Sequence, residues 1–194
     1  MPDKRKHLTS AKLIDILADT GAERATLSNF FREQQRDGVQ PKAPGRGGGK
    51  NAAPLSVENC VDLLIGYIGA VTAKDAARAA TELGAFVTAW PDIGQVTLRD
   101  DLRNIIDVYR DRSEWTPGRS FPERITAIHH ENPFVEILFE PTEEGEEGIS
   151  KYYCRPGESA DRDYSFPART LGVIIDGSAF ERVAKAFKEI EGDG

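Results

Sequence analysis

Arg24, Thr26, Ser28, Asn29, Arg32 and Arg36 put guanidinium, hydroxyl and carboxamide groups into one short stretch of chain. Groups of this kind act by hydrogen bonding rather than by proton transfer. A guanidinium forks onto a guanine edge or a phosphate, a carboxamide pairs with adenine, and hydroxyls reach bases or phosphates. Lys42, Arg46 and Lys50 follow, the last two within GRGGGK (45–50), and supply charge suited to phosphate contact. Lys4, Arg5, Lys6 and His7 form a second basic cluster ahead of them.

Other residue types that do chemistry form no constellation. His129 and His130 are neighbours on an expected strand and point to opposite faces, so they cannot chelate one metal together. With Glu131 beside them, a site would still need a ligand from elsewhere, and Cys154 is the obvious one. A histidine pair at a strand end is the simpler expectation. Glu143, Glu144, Glu146 and Glu147 lack the alternation of a calcium loop and read as a solvated hairpin connection. Asp100 with Asp101, and Glu131 with Glu136, offer paired carboxylates without a defined geometry. No G-x-S-x-G elbow is present. The glycine run lacks the Gly-Lys-Ser/Thr ending of a phosphate loop and does not follow an expected strand. Trp90, Trp115, Tyr152 and Tyr153 read as core or interface groups. The expectation is a protein that is not an enzyme, with no catalytic residue, metal site or cofactor.

The elements that must position the polar stretch are helical. Thr9 or Ser10 can cap a helix with Leu13, Ile14, Leu17 and Ala18 on its apolar face. Thr20-Gly21 ends it. A second helix runs from Arg24–Thr26 to about Asp37, with Leu27, Phe30 and Phe31 on its apolar side, and Gly38 as its C′ residue. Residues 39–54, rich in Pro and Gly, read as a loop. Over 55–114 helical periodicity continues: Val57, Val61, Leu64, Ile65 and Ile68, then an alanine-rich helix over 74–83, then Leu98, Leu102, Ile105, Ile106 and Tyr109. Ser56 can cap the first of these but is expected to make no capping box. From residue 115 the period changes. Strands are expected at 125–128, 134–139, 150–155 and 170–175, then a helix opened by a Ser178–Glu181 capping box. The expected fold is α+β: a helical N-terminal region followed by a small antiparallel sheet with a C-terminal helix. Three segments follow, 1–54, 55–114 and 115–194.

The segment Leu13–Arg32 resembles the helix-turn-helix of bacterial and phage DNA-binding proteins. That motif has a glycine at its ninth position, which is Gly21 here when Leu13 is counted first. Its apolar positions four, ten, fifteen and eighteen are Ile16, Ala22, Leu27 and Phe30. Its fifth position is usually alanine, where this chain has Leu17 with Ala18 next to it. The order of features over residues 8–84 is similar to that of small uncharacterised phage and prophage proteins of proteobacteria. The resemblance implies a DNA-binding transcriptional regulator. Arg24, Thr26, Ser28, Asn29, Arg32 and Arg36 would then read duplex DNA, and the loop Lys42–Lys50 would contact it as a wing does.

Charge sharpens this and offers an alternative. The 194 residues carry a net charge of −7, yet residues 1–50 hold 10 Lys/Arg against 6 Asp/Glu, and residues 51–194 hold 15 against 26. A basic head on an acidic body suits a nucleic-acid partner for the head. The alternative is an ordinary helical hairpin, since Glu23, Glu33 and Asp37 lie among the basic residues. The protein would then be an interaction module or phage accessory protein acting through its acidic body, with a protein partner bound by residues 115–194. No membrane partner is expected: the longest apolar run, Val61–Val71, is broken by Asp62 and two glycines. The N-terminus has no apolar leader, and Cys60 and Cys154 form no motif, so a cytoplasmic protein with free thiols is expected. A homodimer is expected because one helix-turn-helix reads few bases.

Overall fold

The computed structural model describes residues 7–43, 52–89, 95–110, 122–129, 133–141, 148–158 and 171–192. Among these residues the order is α1 (Ser10–Ala18), α2 (Arg24–Arg36), α3 (Val57–Gly69), a 3-10 turn (Ala73–Asp75), α4 (Ala76–Gly84), β1 (Val87–Thr88) and α5 (Leu98–Arg110). Then come β2 (Pro122–His129), β3 (Phe134–Phe139), β4 (Ile149–Cys154), β5 (Leu171–Asp176) and α6 (Ser178–Gly192). The fold is α+β, with helices first, an antiparallel sheet after them and a C-terminal helix, as the periodicity predicts.

Local chemistry sets the helix ends. Thr9 Oγ1 accepts from the Lys12 amide at 3.3 Å and caps α1. Past the end of α2, Gly38 takes φ +85°, and the amides of Gly38 and Val39 return to the carbonyls of Gln35 (3.3 Å) and Gln34 (2.9 Å). This paired closure satisfies two otherwise orphaned carbonyls. Two expectations about caps are corrected. Ser56 does form a reciprocal box: the Asn59 amide donates to Ser56 Oγ (3.3 Å), and the Ser56 amide donates to Asn59 Oδ1 (3.0 Å). The shorter carboxamide of Asn59 reaches the site where Glu or Gln is usual. Ser178, in contrast, lies inside α6, and its amide donates to Asp176 Oδ1 at 2.8 Å. The cap therefore sits two residues upstream of the expected one.

The strands form one sheet in the order β1-β4-β3-β2-β5, and every neighbouring pair is antiparallel. β1 departs from the all-helical reading of 55–114. Its two residues pair with β4, Val87 with Cys154 and Thr88 with Tyr153, so its existence depends on a partner far along the chain. Register sorts the faces. Ile125, Ala127, Val135, Ile137, Tyr153 and Ile175 share the face that joins the main hydrophobic cluster. Thr126, Glu136, Tyr152 and Ile174 share the other.

That cluster runs from Leu8 to Phe187 and draws on α1 to α6 and the sheet. Within it lies a polar knot. Gln34 on α2 is fully buried; its Nε2 donates to Asp62 O (2.8 Å) and, at 3.4 Å, to Ala76 O. Gln40 Nε2 donates to Gln34 Oε1 (3.0 Å) and to Asn59 O (2.8 Å). Gly66 leaves room for this: a Cβ there would lie 2.1 Å from Gln34 Nε2 and 2.9 Å from Ala76 O. Arg99 on α5 adds a fork, its Nε and NH2 donating to Asp62 Oδ1 at 3.0 and 2.7 Å. Burial holds the Asp62 carboxyl above its ordinary range, and Arg99 opposes that shift. Cys60 and Cys154 are free thiols, both buried, and burial pushes Cys60 up. Among the described residues no helix is long and apolar enough to cross a membrane.

Two outcomes follow for stability. Gly66→Ala forces Gln34 out of its bonds and is expected to cost about 1–3 kcal/mol, read by urea unfolding. Hydrogen bonds from Ser178 hold the Asp176 carboxyl below its ordinary range. A lowered folded pKa means the contribution is whole above the unfolded value, near ~4, and is lost as pH falls through the lowered one. Asp176→Ala is expected to lower stability by about 1 kcal/mol at neutral pH. Its deficit in melting temperature against wild type should shrink as the medium is acidified below that range.

Candidate nucleic-acid interface

The hairpin α1–α2 is closed by a turn that only glycine takes freely. Thr20 and Gly21 amides donate to Leu17 O and Ala18 O, each at 3.1 Å, and Gly21 then adopts φ +99°. This is the ninth position of the motif. Leu27 and Phe30 are buried, while Ile16 and Ala22 are half-buried against the core. Leu17, at the fifth position, is 2% exposed and joins the core cluster. The turn residues Thr20, Gly21 and Ala22 line a cavity of about 100 Å³ with Tyr67, Ile174 and Ile175.

α2 packs against α1, α3, α4 and the 3-10 turn. With Gln34 turned fully inward, the 100° step per residue sends the opposite side outward. Arg24, Ser28, Arg32 and Arg36 recur every four residues and form one stripe there, with Asn29 beside it. Arg24, Asn29, Arg32 and Arg36 are exposed, while Thr26 and Ser28 are half-buried.

Their partners differ. Arg24 is ion-paired with Asp15 on α1. Arg36 pairs with Glu33 (2.5 Å) and Asp37 (3.3 Å). Thr26 Oγ1 donates to Glu23 Oε2 at 2.5 Å, and Ser28 Oγ donates back to Arg24 O at 2.8 Å. Arg32 NH1 reaches Asn29 Oδ1 at 3.5 Å, and Lys42 Nζ donates to Arg36 O at 3.4 Å. Among the described residues neither Arg32 nor Lys42 has a carboxylate in ion-pair range. Arg46 and Lys50 lie outside the described residues, as do Lys4, Arg5 and Lys6. The chain that follows each of the two segments is anchored at one place. His7 Nε2 donates to Ala52 O (3.1 Å), and the Leu55 amide donates to Leu8 O (2.9 Å). The basic arm and the glycine-rich loop thus join the core at adjacent points.

The carboxylates considered for acid–base work have other partners. Asp101 accepts from Lys151 Nζ and Tyr153 OH and ties α5 to β4. Burial, first, and the Asp101 charge push the Tyr153 phenol up. Asp100 accepts from Thr97 Oγ1 at 2.6 Å. Glu136 is 4% exposed, with Oε1 receiving Ser150 Oγ (2.7 Å) and Tyr152 OH (3.2 Å). The His129 side chain, His130, Glu131, residues 143–147, Trp90 and Trp115 lie outside the described residues. Among those described, no group of three or more His, Cys, Asp or Glu side chains is placed to hold a metal ion.

Sequence reasoning did not find the buried role of Gln34, nor the pairing of Arg24 with Asp15. Comparison with family models, with curated proteins and with solved structures gives no match. The geometry of α2 and its flanks therefore carries the functional argument.

The turn offers a direct check. Space around Gly21 is open, so Gly21→Ala meets only the backbone penalty of a positive φ. The expected cost is about 1–2 kcal/mol in thermal unfolding.

Proposed function

We propose that this chain is a DNA-binding regulator of phage or prophage type, non-enzymatic, acting in the cytoplasm on duplex DNA. The reading is carried by the outward stripe of α2. Arg32 and Asn29 are exposed there, on a helix entered through a tight glycine turn. A guanidinium and a carboxamide at such a position suit guanine and adenine edges in a major groove. Lys42 and the adjoining arm and loop supply phosphate contacts from neighbouring anchor points. Arg24 and Arg36 are exposed and enter the same interface by exchanging the carboxylates of Asp15, Glu33 and Asp37 for phosphates. An ion pair between exposed groups, as Arg36 makes with Asp37, is worth about 0–1 kcal/mol, so little opposes that exchange.

A second reading is favoured by one observation. Glu123, Glu140, Asp176 and Glu181 line a cavity of about 310 Å³ beside Tyr109. An acidic mouth of that kind suits a basic protein partner and matches the alternative of an interaction module.

Duplex-DNA binding against salt concentration separates the two. Wild type should lose affinity steeply as salt rises, because bound cations release counterions. The triple variant Arg24→Ala/Asn29→Ala/Arg32→Ala should bind more weakly with a shallower slope. Asp15→Asn should move the other way, since it frees Arg24 and removes a like-charged neighbour of the phosphates. Absence of binding at low salt overturns the DNA reading and leaves the interaction module.

A further inference from the structure

We infer that β5 is a dimerisation edge. Two copies of this chain pair antiparallel through Leu171–Asp176, about a two-fold axis at Ile174, and join their sheets into one. The inference is independent of the DNA reading, because it concerns the free protein.

β5 is the last strand of the sheet and has β2 on one side. Among the described residues no strand lies on the other side, and a cavity of about 100 Å³ lies between Ile174–Ile175 and the residues Thr20, Gly21, Ala22 and Tyr67. Native proteins guard such an edge with proline, lysine, a bulge or an inward charge. Leu171–Asp176 reads LGVIID and has no proline and no lysine, and its register with β2 runs without a shift from Leu171 to Asp176. Its one charge stands at the end.

The strand is also complementary to itself. In antiparallel pairing centred on Ile174, that residue meets the partner's Ile174 on the sheet face turned away from the main core. Ile174 is 62% exposed, one of three large apolar side chains left so open among the described residues. Pairing would cover Ile174 of both copies at once. The same register sets Asp176 opposite the partner's Gly172, so neither carboxylate faces its own copy. Like charges directly across strands are destabilising, and this alignment avoids them. A symmetric pairing of one patch with itself is the usual form of a two-fold interface.

A foreign strand from another protein could use the same edge, but it would leave the pure chain monomeric. The net charge of −7 makes copies repel at long range, and salt screens that repulsion. Association through main-chain and apolar contact should therefore tighten as salt rises.

Sedimentation equilibrium of the full chain over a concentration series tests this. Wild type is expected at twice the 21.4 kDa chain mass, more so at higher salt. Ile174→Lys places a charge at the axis and should weaken dimerisation by roughly tenfold or more, with its circular dichroism unchanged. Ile174→Cys should form an intermolecular disulfide under mild oxidation, whereas wild type, whose thiols are both buried, should not. A wild type that stays monomeric throughout overturns the inference. So does a dimer that Ile174→Lys leaves intact, or one in which Ile174→Cys fails to cross-link.

Discussion

The fully buried carboxamide of Gln34 is the contact on which the orientation of the helical layer depends. Its nitrogen serves carbonyls of α3 and α4, and its oxygen receives Gln40, which in turn serves another α3 carbonyl. Those helix carbonyls keep a second lone pair after their own i+4 bond, so the carboxamides take nothing from the helices. A buried polar group that loses its partner costs about 1–3 kcal/mol, which penalises any rotation of α2 about its axis. Gly66 makes the contact possible, since any side chain there would occupy the carboxamide's place. From Asp62 the connection passes through Arg99 to α5, and from Asp101 on α5 to Lys151 and Tyr153 in the sheet. The outward aim of Arg32 and Asn29 is thus the far side of an inward constraint. A buried polar network fixes a single packing more sharply than apolar contact does.

Charge has a different standing in the folded chain from its standing in the sequence. The basic excess of residues 1–50 is partly answered where it is displayed. Asp15 meets Arg24, and Glu33 and Asp37 meet Arg36. The side chains of Arg24 and Asp15 are 65% and 48% exposed, so water competes for both. Such pairs hold the arginines in place more than they stabilise the fold. What remains uncompensated among the described residues is narrower than the composition suggests, and it centres on Arg32 and Lys42.

The long periodic helices were legible because burial repeats along them: Leu13, Ile14 and Leu17 in α1, and Val57, Val61, Leu64, Ile65 and Ile68 in α3, are all buried. Gln34 was not. A glutamine within an amphipathic pattern reads as surface, and only the geometry of three other elements turns it inward. β1 escaped for a related reason, as two residues have no period and their partner strand lies far along the chain. The cap of α6 was missed by two residues because Asp176 belongs to a strand and caps a helix at once. At the candidate site, exposure of Arg24, Asn29, Arg32 and Arg36 followed from helical spacing, whereas Thr26 and Ser28 are half-buried and bonded to Glu23 and to the Arg24 carbonyl. The ion pair between Arg24 and Asp15 did not follow from spacing, because it joins two helices whose crossing the sequence leaves open.

Ile174 and Ile175 show where residue type stops being informative. They are adjacent and identical, and the strand reading of 170–175 treats them alike. The pleat separates them: Ile175 lies opposite Ile125 and enters the main core, while Ile174 lies opposite Thr126 on the other face. A shift of one residue in the pairing of β5 with β2 would exchange the two. The register instead places Gly177 just beyond the strand, its amide on Glu123 O at 2.8 Å, where a Cβ would meet the Pro122 carbonyl. A glycine that tolerates that approach, followed by a helix capped from Asp176, fixes where β5 must end. Which isoleucine faces solvent is therefore decided at the strand's terminus rather than by either isoleucine.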